Sequence, residues 1–489
     1  MAIRKRCSKV NSFEEPMKWT RKAIMIWTIL CLNVLTILAA FKKRMILYGL
    51  LNAIFVFLVT GQAFQIQSDL SSQHGVYYLH NFISDAGFSA ALWYALGISV
   101  VALIPALFLK GYRAHSQVRT ILVFQPPPLF YWTLLALLSV LSIVLVFAVV
   151  GLHEFLHSSR PGYHTGSTIF IVMLYLGVAP LLLKIIYGSR LVAGDIACFA
   201  LSFLVTAAFS RIHLILYLTA ILLAFFYASG WADRPLSVKL LMRILLFGGV
   251  AVVLFFGIGA LHDAQNFVSG SVGDLLAYIV AHPDKSILSV EYNYRVGVEG
   301  MSGIAGAFSQ FRANPQLTHF DGGASWLIQG SVQWLPGIIK NKAAALTQLS
   351  QDLTWYKGSV VATGAESYFE SYGWLGVVLY PLSIFVLGWY LPLRVLASEM
   401  APAIRLTAYT LFACCIFFVR GSLPVWIAFS FSYSVVIAVS WVFFRRYFTH
   451  TSSYLPPNPD IGLHRARLVH PMIRLRKSFT LRQGRRDEE

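Results

Sequence analysis

Long runs of apolar residues, separated by short polar connectors, recur along most of the chain. Each run holds about 17 to 25 residues, the length of helix that crosses a hydrocarbon core of about 30 Å. No segment shows the strict alternation of a barrel strand, so the pattern predicts membrane-spanning helices. The predicted spans are residues 45–64, 88–109, 128–152, 167–187, 191–209, 213–229, 244–261, 374–391, 405–419 and 423–444.

A further apolar run, residues 23–41, has basic residues on both flanks. The ten other spans are even in number. They therefore place Lys42–Arg44 and the C-terminal tail on the same side of the membrane, whether or not residues 23–41 cross. The run either crosses with a positive N-terminus outside, or lies at the surface or dips in and returns, and the sequence leaves these alternatives open. The predicted fold class is an all-α, polytopic integral membrane protein with about 10–12 transmembrane helices.

The composition supports residence in lipid. Of the 489 residues, 57% are hydrophobic and only 12% are charged, whereas soluble domains carry about 25% charged residues. The net charge of +18 does not indicate nucleic acid as a partner, because the basic residues lie in short connectors and in the tail, as in juxtamembrane anchoring. With the tail in the cytoplasm, the short outer connectors hold Arg160, Arg211 and Arg420. The inner connectors hold Lys42, Lys43, Arg44, Lys110, Arg113, Arg119, Arg190, Arg234, Lys239, Arg243, Arg394 and Arg405.

That orientation divides the chain into consecutive parts. They are a basic cytoplasmic-side head (1–22), an N-terminal transmembrane helical region (23–261), a large extracytoplasmic loop (262–373), C-terminal transmembrane helices (374–444) and a basic cytoplasmic tail (445–489). Only the large loop is long enough to fold as a small domain. No internal repeat and no Gly-rich phosphate-binding loop is present, which argues against an inverted-repeat transporter and against ATP as the energy source.

The pattern HEFLH, from His153 to His157, has the spacing of two zinc ligands with an adjacent general base. A third ligand is missing, because Arg160 and Tyr163 stand where the extended pattern requires glycine and histidine. The five cysteines form neither a disulfide framework nor a zinc pattern. We therefore expect no metal at this pattern, and either substrate hydrogen bonding or interfacial capping by the two histidines.

Two arginines interrupt apolar sequence at predicted outer helix ends, Arg211 in AAFSRIHLILY and Arg420 in FFVRGSLPVW. An arginine near the bilayer core costs about 2.5–3.5 kcal/mol on insertion scales, and positive charge is disfavoured on the outer face. Snorkelling to the surface explains either residue alone. Two outward-facing guanidiniums also suit a pyrophosphate, which arginine binds bidentately.

The large loop adds Arg295 and Arg312 in a segment that is rich in carboxylates and aromatic rings. Any one of these residues alone is explained as a solvated loop residue. The group as a whole is denser in arginine, glutamate and aromatic residues than a linker needs. Tyr292, Tyr294 and Trp326 offer flat apolar faces for sugar rings.

Glu366 lies in the segment GAESYFESYGWLGVVLY, where carboxylates and aromatic rings directly precede an apolar run. Acidic residues at a helix N-terminus interact favourably with the macrodipole, and Trp374 and Tyr380 suit an aromatic belt. Those ordinary functions leave the small residues before Glu366 unexplained, and they also leave Gly373 and Gly376 unexplained.

The chain resembles bacterial Wzy-type O-antigen polymerases in three features. These are the segment GAESYFESYGWLGVVLYPLSIFVLG, the turn in AFSRIHLILYLTAILLAF, and the layout of many spans with one dominant outer loop. Some members of that family carry Arg-x10-Gly motifs in outer loops, and Arg295 to Gly306 and Arg312 to Gly323 have this spacing. The usual arrangement places one motif in an earlier loop, where this chain has no glycine partner for its arginines.

The resemblance implies a GT-C-like glycosyltransferase in the bacterial inner membrane. Its partners would be an undecaprenyl-pyrophosphate-linked glycan donor, a lipid-linked acceptor, membrane lipid and a chain-length regulator protein. Arg211, Arg420 and Arg295 would neutralise the pyrophosphate leaving group, so no cofactor is expected.

The same resemblance places Glu366 first among the groups that orient or deprotonate the incoming hydroxyl, followed by Glu299 and His319. An O-antigen ligase, whose acceptor is a lipid A-core, is the alternative within the class. A non-enzymatic transporter of lipid-linked glycans or solutes is the alternative from another class. A transporter should hide ionisable residues at mid-span, and Asp195 is the one acidic candidate within the predicted spans, close to an inner end.

Overall fold

The structure, a computed structural model, describes residues 14–72, 75–78, 81–109, 121–124, 167–187, 191–209, 211–228, 242, 272–282, 300–313, 363–396, 401–420 and 423–451. Almost all of this part of the chain is helical. The helices are α1 (Glu14–Lys42), α2 (Ile46–Ser72), α3 (Asp85–Phe108), α4 (Ser167–Ile186), α5 (Ala193–Phe209), α6 (Arg211–Ala228), α7 (Val272–Ala281), α8 (Met301–Ala313), α9 (Gly364–Tyr372), α10 (Gly376–Phe385), α11 (Leu391–Leu396), α12 (Pro402–Arg420) and α13 (Leu423–Phe444). Short strands form two antiparallel pairs, β1 (Gly75–Tyr78) with β2 (Asn81–Ser84) and β3 (Ile121–Phe124) with β4 (Phe448–Thr451).

The helical part of the predicted fold class is confirmed, and the long apolar helices are consistent with a membrane protein. Shorter apolar helices occupy Gly177–Ile186 and His213–Tyr227. The predicted spans 128–152 and 244–261 lie outside the described residues. Within the described residues, five segments are long and apolar enough to cross a membrane, namely Arg21–Lys42, Ile46–Leu70, Asp85–Phe108, Gly364–Leu396 and Pro402–Val419.

The first three helices define the two ends of the bundle. α1 and α2 are joined by a tight turn in which Arg44 takes a φ of 65°. Beside this turn, Lys43 Nζ donates to the carbonyl oxygen of Leu109, which follows the last turn of α3, at 2.7 Å. At the opposite end, Lys22 of α1 forms an ion pair with Asp85, the first residue of α3. The bundle therefore has a Lys43 end and an Asp85 end, and α1 and α3 run parallel between them.

α1 extends along the whole length of this helix group. It packs against α2 and α3, and Asn33 in its middle donates to Ser99 Oγ of α3 at 2.7 Å. Its other face, which includes Trp27 and Leu38, is exposed. Of the alternatives that the sequence leaves open for residues 23–41, a full crossing agrees with this continuous helix.

Residues 364–396 form one bent helical run with two irregular turns. A 3-10 turn separates α9 from α10, and it begins at Gly373, whose φ of 59° costs glycine little because it has no Cβ. A π-helical turn joins α10 to α11 and brings Gly388 against the backbone of Tyr48 in α2. The run extends beyond both ends of the predicted span 374–391.

The other half of the bundle consists of five helices that pack together, namely α4, α5, α6, α12 and α13. α12 joins this half to the rest of the bundle through contacts with α2 and α9. Tyr175 of α4 is hydrogen-bonded to Thr410 of α12 at 2.5 Å. The Arg405 guanidinium lies over the ring of Tyr187, 5.7 Å from its centroid, beside the end of α4. α12 begins beside α11 and ends beside α9, which puts Arg405 at the Lys43 end.

A buried ion pair joins α4 to α5 at the Lys43 end. Lys184 Nζ donates to both carboxylate oxygens of Asp195 at 2.7 Å. Asp195 also accepts a hydrogen bond from Val192 N at 2.8 Å. The side chains of the pair are only 9% and 6% exposed. The one acidic residue predicted within a span is thus neutralised by a neighbouring cation.

We expect Asp195→Asn to lower the thermal unfolding midpoint of the detergent-solubilised protein, because it removes the negative charge that the buried Lys184 ammonium faces. Removing one partner of a buried pair costs about 3–5 kcal/mol. Lys184→Met combined with Asp195→Asn should recover part of the loss, since asparagine still accepts from Val192 N and no charge stays buried. An unchanged midpoint for Asp195→Asn would contradict a structural function for this pair.

α8 belongs by sequence to the predicted outer loop, but it packs inside the bundle near the Asp85 end. Its neighbours are α2, α3, α9 and β2, and its residues 301–306 are all buried. Gly303, Ala305 and Gly306 lie in this buried part, and small residues let helix backbones approach closely where there is no room for larger side chains. The loop therefore contributes a helix to the body of the protein.

Candidate functional site

Glu366 is the third residue of α9, and it forms a reciprocal cap with Thr363. Thr363 Oγ1 accepts from Glu366 N, and Glu366 Oε2 accepts from Thr363 N, both at 3.2 Å. This capping box satisfies two of the amides that the start of a helix leaves without partners. Glu366 is only 2% exposed, so its carboxylate lies inside the protein.

The Glu366 carboxylate packs directly on the first turn of α8. A Cβ added to Gly303 would lie 2.1 Å from Oε2 and 2.7 Å from Cδ of Glu366, so only glycine leaves room for the carboxylate. Gln62 of α2 holds this turn from the other side, because its Oε1 accepts from Gly300 N at 3.2 Å and from Ser302 N at 2.8 Å. The carboxylate thus lies beside the first turns of both α8 and α9, whose amides carry partial positive charge. We call these residues the α8–α9 junction.

Glycines give the junction its close backbone contacts. A Cβ at Gly300 would lie 2.1 Å from the carbonyl oxygen of Leu58, and one at Gly364 would lie 2.1 Å from that of Phe418. A Cβ at Gly376 would lie 2.2 Å from the Tyr94 hydroxyl. The small residues around Glu366, which the sequence leaves unexplained, therefore allow α9 and α10 to pack against α12 and α3.

A cluster of aromatic rings packs beside the α8–α9 junction. The rings of Phe308 and Phe369 stack with centroids 3.8 Å apart. Tyr94 packs edge-on against Phe369 and donates from its hydroxyl to the carbonyl oxygen of Ala365 at 3.1 Å. Trp374 borders the cluster, 5.2 Å from the Phe308 ring, and is 52% exposed. These contacts fix α8 and α9 relative to α3.

The two helix ends that carry the predicted anion-binding arginines converge on the same end of the bundle. Arg211 is the first residue of α6, and Arg420 is the last residue of α12. The ring of His213 lies 6.1 Å from that of Phe417, so these two helix ends are neighbours. The carbonyl of Phe418 in turn touches Gly364 at the start of α9. The side chains of both arginines lie outside the described residues.

Arg312 is not part of this arrangement. It lies in the last turn of α8 with an exposed side chain, and the nine residues from Gly303 correspond to about 13 Å along the helix axis. The turn before Arg312 is fixed to the start of α3 instead, because Ser309 Oγ accepts at 2.9 Å from the backbone N of Ser84, the last residue of β2 and the N-cap of α3. The other predicted site residues lie outside the described residues, namely Glu299, His319, Arg295, Tyr292, Tyr294 and Trp326.

Three residues of this region were missed by the sequence interpretation: Gln62, Gly303 and His213. Gln62 and His213 carried a usable signal, since a polar side chain within an apolar run is costly and indicates a specific partner. Gly303 carried none, because glycine is frequent in that segment. Within the described residues, no three His, Cys, Asp or Glu side chains are grouped so that they could hold a metal ion.

Comparisons of the chain with protein-family models, with curated proteins and with solved structures found no match.

Proposed function

We propose that the protein is a membrane glycosyltransferase that polymerises undecaprenyl-pyrophosphate-linked oligosaccharide repeat units, as Wzy-type O-antigen polymerases do. The observation that carries this proposal is the convergence of three elements at the Asp85 end. They are the start of α6 with Arg211, the end of α12 with Arg420, and the α8–α9 junction with Glu366. The sequence resemblance adds the substrate class.

The Asp85 end faces away from the cytoplasm in this proposal. Basic residues concentrate at the other end, where Lys43, Arg394, Arg405 and Arg446 lie within or next to the ends of described helices, and such residues favour the cytoplasmic side. With that orientation Lys22, which pairs with Asp85, lies at the extracytoplasmic end. In this proposal α1 crosses the membrane, which differs from the prediction that residues 1–22 form a cytoplasmic-side head.

The reaction forms a bond between a hydroxyl oxygen of the acceptor sugar and the anomeric carbon of the donor glycan. The bond from that carbon to the carrier's diphosphate breaks, and its electron pair stays on the diphosphate oxygen. Arg211 and Arg420 bind the diphosphate and neutralise the charge that develops on it. The hydroxyl proton passes to a base at the site.

Glu366 is better suited to positioning than to accepting that proton. Its carboxylate is enclosed by the first turn of α8 and bonded to Thr363 N, so no sugar hydroxyl reaches it in this arrangement. It holds α8 and α9 together, and α9 lies against the end of α12 that carries Arg420. Glu299 and His319 keep their predicted function, which is to orient or deprotonate the incoming hydroxyl, in this proposal.

The alternative functions make different demands on the chain. A transporter coupled to ion movement needs an ionisable group in a span that can change its charge. Asp195, the acidic candidate, is bonded to Lys184 and to Val192 N, which argues against that function. An O-antigen ligase would use the same diphosphate chemistry with a different acceptor, so the product of the reaction has to distinguish it.

Deletion of the gene should leave single repeat units on the lipid core and remove the ladder of longer polysaccharides. This outcome follows because a ligase can still transfer one unit when the polymerase is absent. The measurement is electrophoresis of surface polysaccharide, with the wild-type gene restored in trans as the control. A strain that carries no repeat units on the core would identify a ligase, and an unchanged ladder would refute both glycosyltransferase functions.

A further inference from the structure

Two arginines at the Lys43 end are stacked on tyrosine rings in the same way. Arg394 Cζ in α11 lies 5.7 Å from the ring centroid of Tyr390, four residues earlier in the π-helical turn. Arg405 Cζ in α12 lies 5.7 Å from the ring centroid of Tyr187, which directly follows α4. α11 packs against α12, so both stacks belong to the same end of the bundle. We call them the arginine–tyrosine pairs.

The charge of these two guanidiniums is not balanced by an acid within the described part of the chain. Neither arginine forms an ion pair there. The acidic side chain of Asp195, which lies at this end, is already bonded to Lys184 at 2.7 Å. An anion from outside this part of the chain is therefore the natural partner of both arginines.

Stacking on a ring leaves a guanidinium well suited to bind a phosphate. The ring covers one face of the group, whereas its N–H donors point outward in its plane and match the oxygens of a phosphate. A stacked guanidinium is also held in one orientation, so less side-chain freedom is lost when an anion binds. The arginine–tyrosine pairs thus favour phosphate over a bare point charge.

Apolar side chains beside the arginines indicate that a lipid is the source of this phosphate. Tyr390 is 46% exposed, and Ile404, next to Arg405 in the chain, is 57% exposed. Apolar and aromatic residues that alternate with cations are typical of the depth at which acyl chains meet headgroups. Arg445 and Arg446, which follow α13, are exposed as well. The positive charge of this surface is complementary to that of an anionic headgroup.

We propose that the two arginine–tyrosine pairs bind headgroup phosphates of anionic phospholipids in the leaflet at the Lys43 end. Each guanidinium donates hydrogen bonds in its plane to phosphate oxygens, while the tyrosine ring holds it in position. The general preference of basic residues for the cytoplasmic side accounts for their charge, whereas the stacks predict a saturable site that depends on these two side chains. Lipid binding here goes beyond the proposed function and does not depend on it, because it needs only a membrane surface at this end.

Native mass spectrometry of the full-length protein in detergent, titrated with phosphatidylglycerol, tests the site. We expect lipid retention that saturates in the wild type. Arg394→Gln combined with Arg405→Gln should weaken it about 30-fold, because each basic residue near a membrane surface contributes about fivefold in affinity. Arg394→Lys combined with Arg405→Lys keeps both charges without the planar donors, so its retention should lie between those of the glutamine variant and the wild type.

Lys43→Gln is the matched control for Arg394→Gln, since each removes one positive charge from the same end. Lys43 Nζ already donates to the carbonyl oxygen of Leu109, and glutamine can keep that bond. Retention by Lys43→Gln should therefore stay near that of the wild type. Phosphatidylcholine, whose headgroup has no net charge, controls for the acyl chains, and glycerol 3-phosphate controls for a soluble phosphate.

Equal retention of phosphatidylglycerol and phosphatidylcholine by the wild type would overturn the proposed lipid site. So would equal losses from Lys43→Gln and Arg394→Gln, or wild-type retention by the double lysine variant. Arginine-dependent binding of glycerol 3-phosphate without binding of the lipid would identify a soluble anion instead. The unfolding midpoint without added lipid shows whether each variant is folded, and the lysine variant and Arg394→Gln decide if the double glutamine variant is not. A deletion strain with an intact polysaccharide ladder would reject the proposed function and leave the lipid result unchanged.

Discussion

Glu366→Ala is expected to reduce surface polysaccharide to single repeat units, whereas Glu366→Gln keeps a visible ladder. Alanine removes the acceptor for Thr363 N and the group that fills the space beside Gly303. A lost cap costs about 0.5–2 kcal/mol, and a buried amide without a partner costs about 1–3 kcal/mol. Those costs fall on the junction that holds α8 against α9, so the site loses its geometry.

Glu366→Gln distinguishes a positioning function of Glu366 from a function as the proton acceptor. Its side-chain oxygen still accepts from Thr363 N, and only the interaction of the charge with the two helix N-termini is lost, which is worth about 0.3–2 kcal/mol. Both variants should be compared at equal amounts in the membrane, measured by immunoblot. A correctly inserted Glu366→Gln protein as inactive as Glu366→Ala would show that the carboxylate accepts the proton itself, against the positioning function argued above.

Gly303→Ala should abolish most of the activity and lower stability by less than the broken cap alone would. The new methyl group would overlap the Glu366 carboxylate and force it away from Thr363 N. The atoms in its way belong to the end of one side chain, so the backbone need not move. Alanine is also a better helix former than glycine by about 1 kcal/mol, which offsets part of the cost of the broken cap. The measurements are the polysaccharide ladder and the unfolding midpoint of the purified protein.

Gly49→Ala in α2 is the matched control for Gly303→Ala. The nearest atoms to a Cβ there are at 3.4 to 3.5 Å, an ordinary van der Waals distance. The control has the same chemistry of substitution in a buried helix, without the collision. Wild-type activity is expected for Gly49→Ala. A comparable loss of activity from both glycine variants would show that the loss does not depend on the position of the Glu366 carboxylate.

The sequence is a good guide to the long helices, because a hydrophobic run of spanning length has few alternative structures. The predicted spans 88–109 and 423–444 agree closely with α3 and α13. The capping box at Thr363 and Glu366 is also visible as a local pattern. It explains why a carboxylate precedes the apolar run, and the close contacts of Gly364 and Gly376 explain the small residues around it.

The parts that the sequence could not predict depend on contacts between distant segments. α8 is rich in glycine, alanine and serine, so its hydrophobicity does not distinguish a helix inside the bundle from a flexible loop. Arg312 looks like a site residue by composition, but it lies at the end of α8 away from Gly303. His213 is a polar residue within an apolar run, which indicates a specific partner, but the sequence does not show that this partner is Tyr433.

The insertion of α8 also sets the order in which the protein is assembled. α2 and α3 leave the ribosome long before α8, and α9 follows only after residues 314–363 have also been synthesised. Contacts between segments so far apart in sequence form slowly, and until they form, the small-residue face of α8 lacks its neighbours. Variants whose protein accumulates poorly at elevated growth temperature should therefore cluster around Gln62, Gly303 and Gly364. None of these residues lies on the lipid-facing surface of a hydrophobic span.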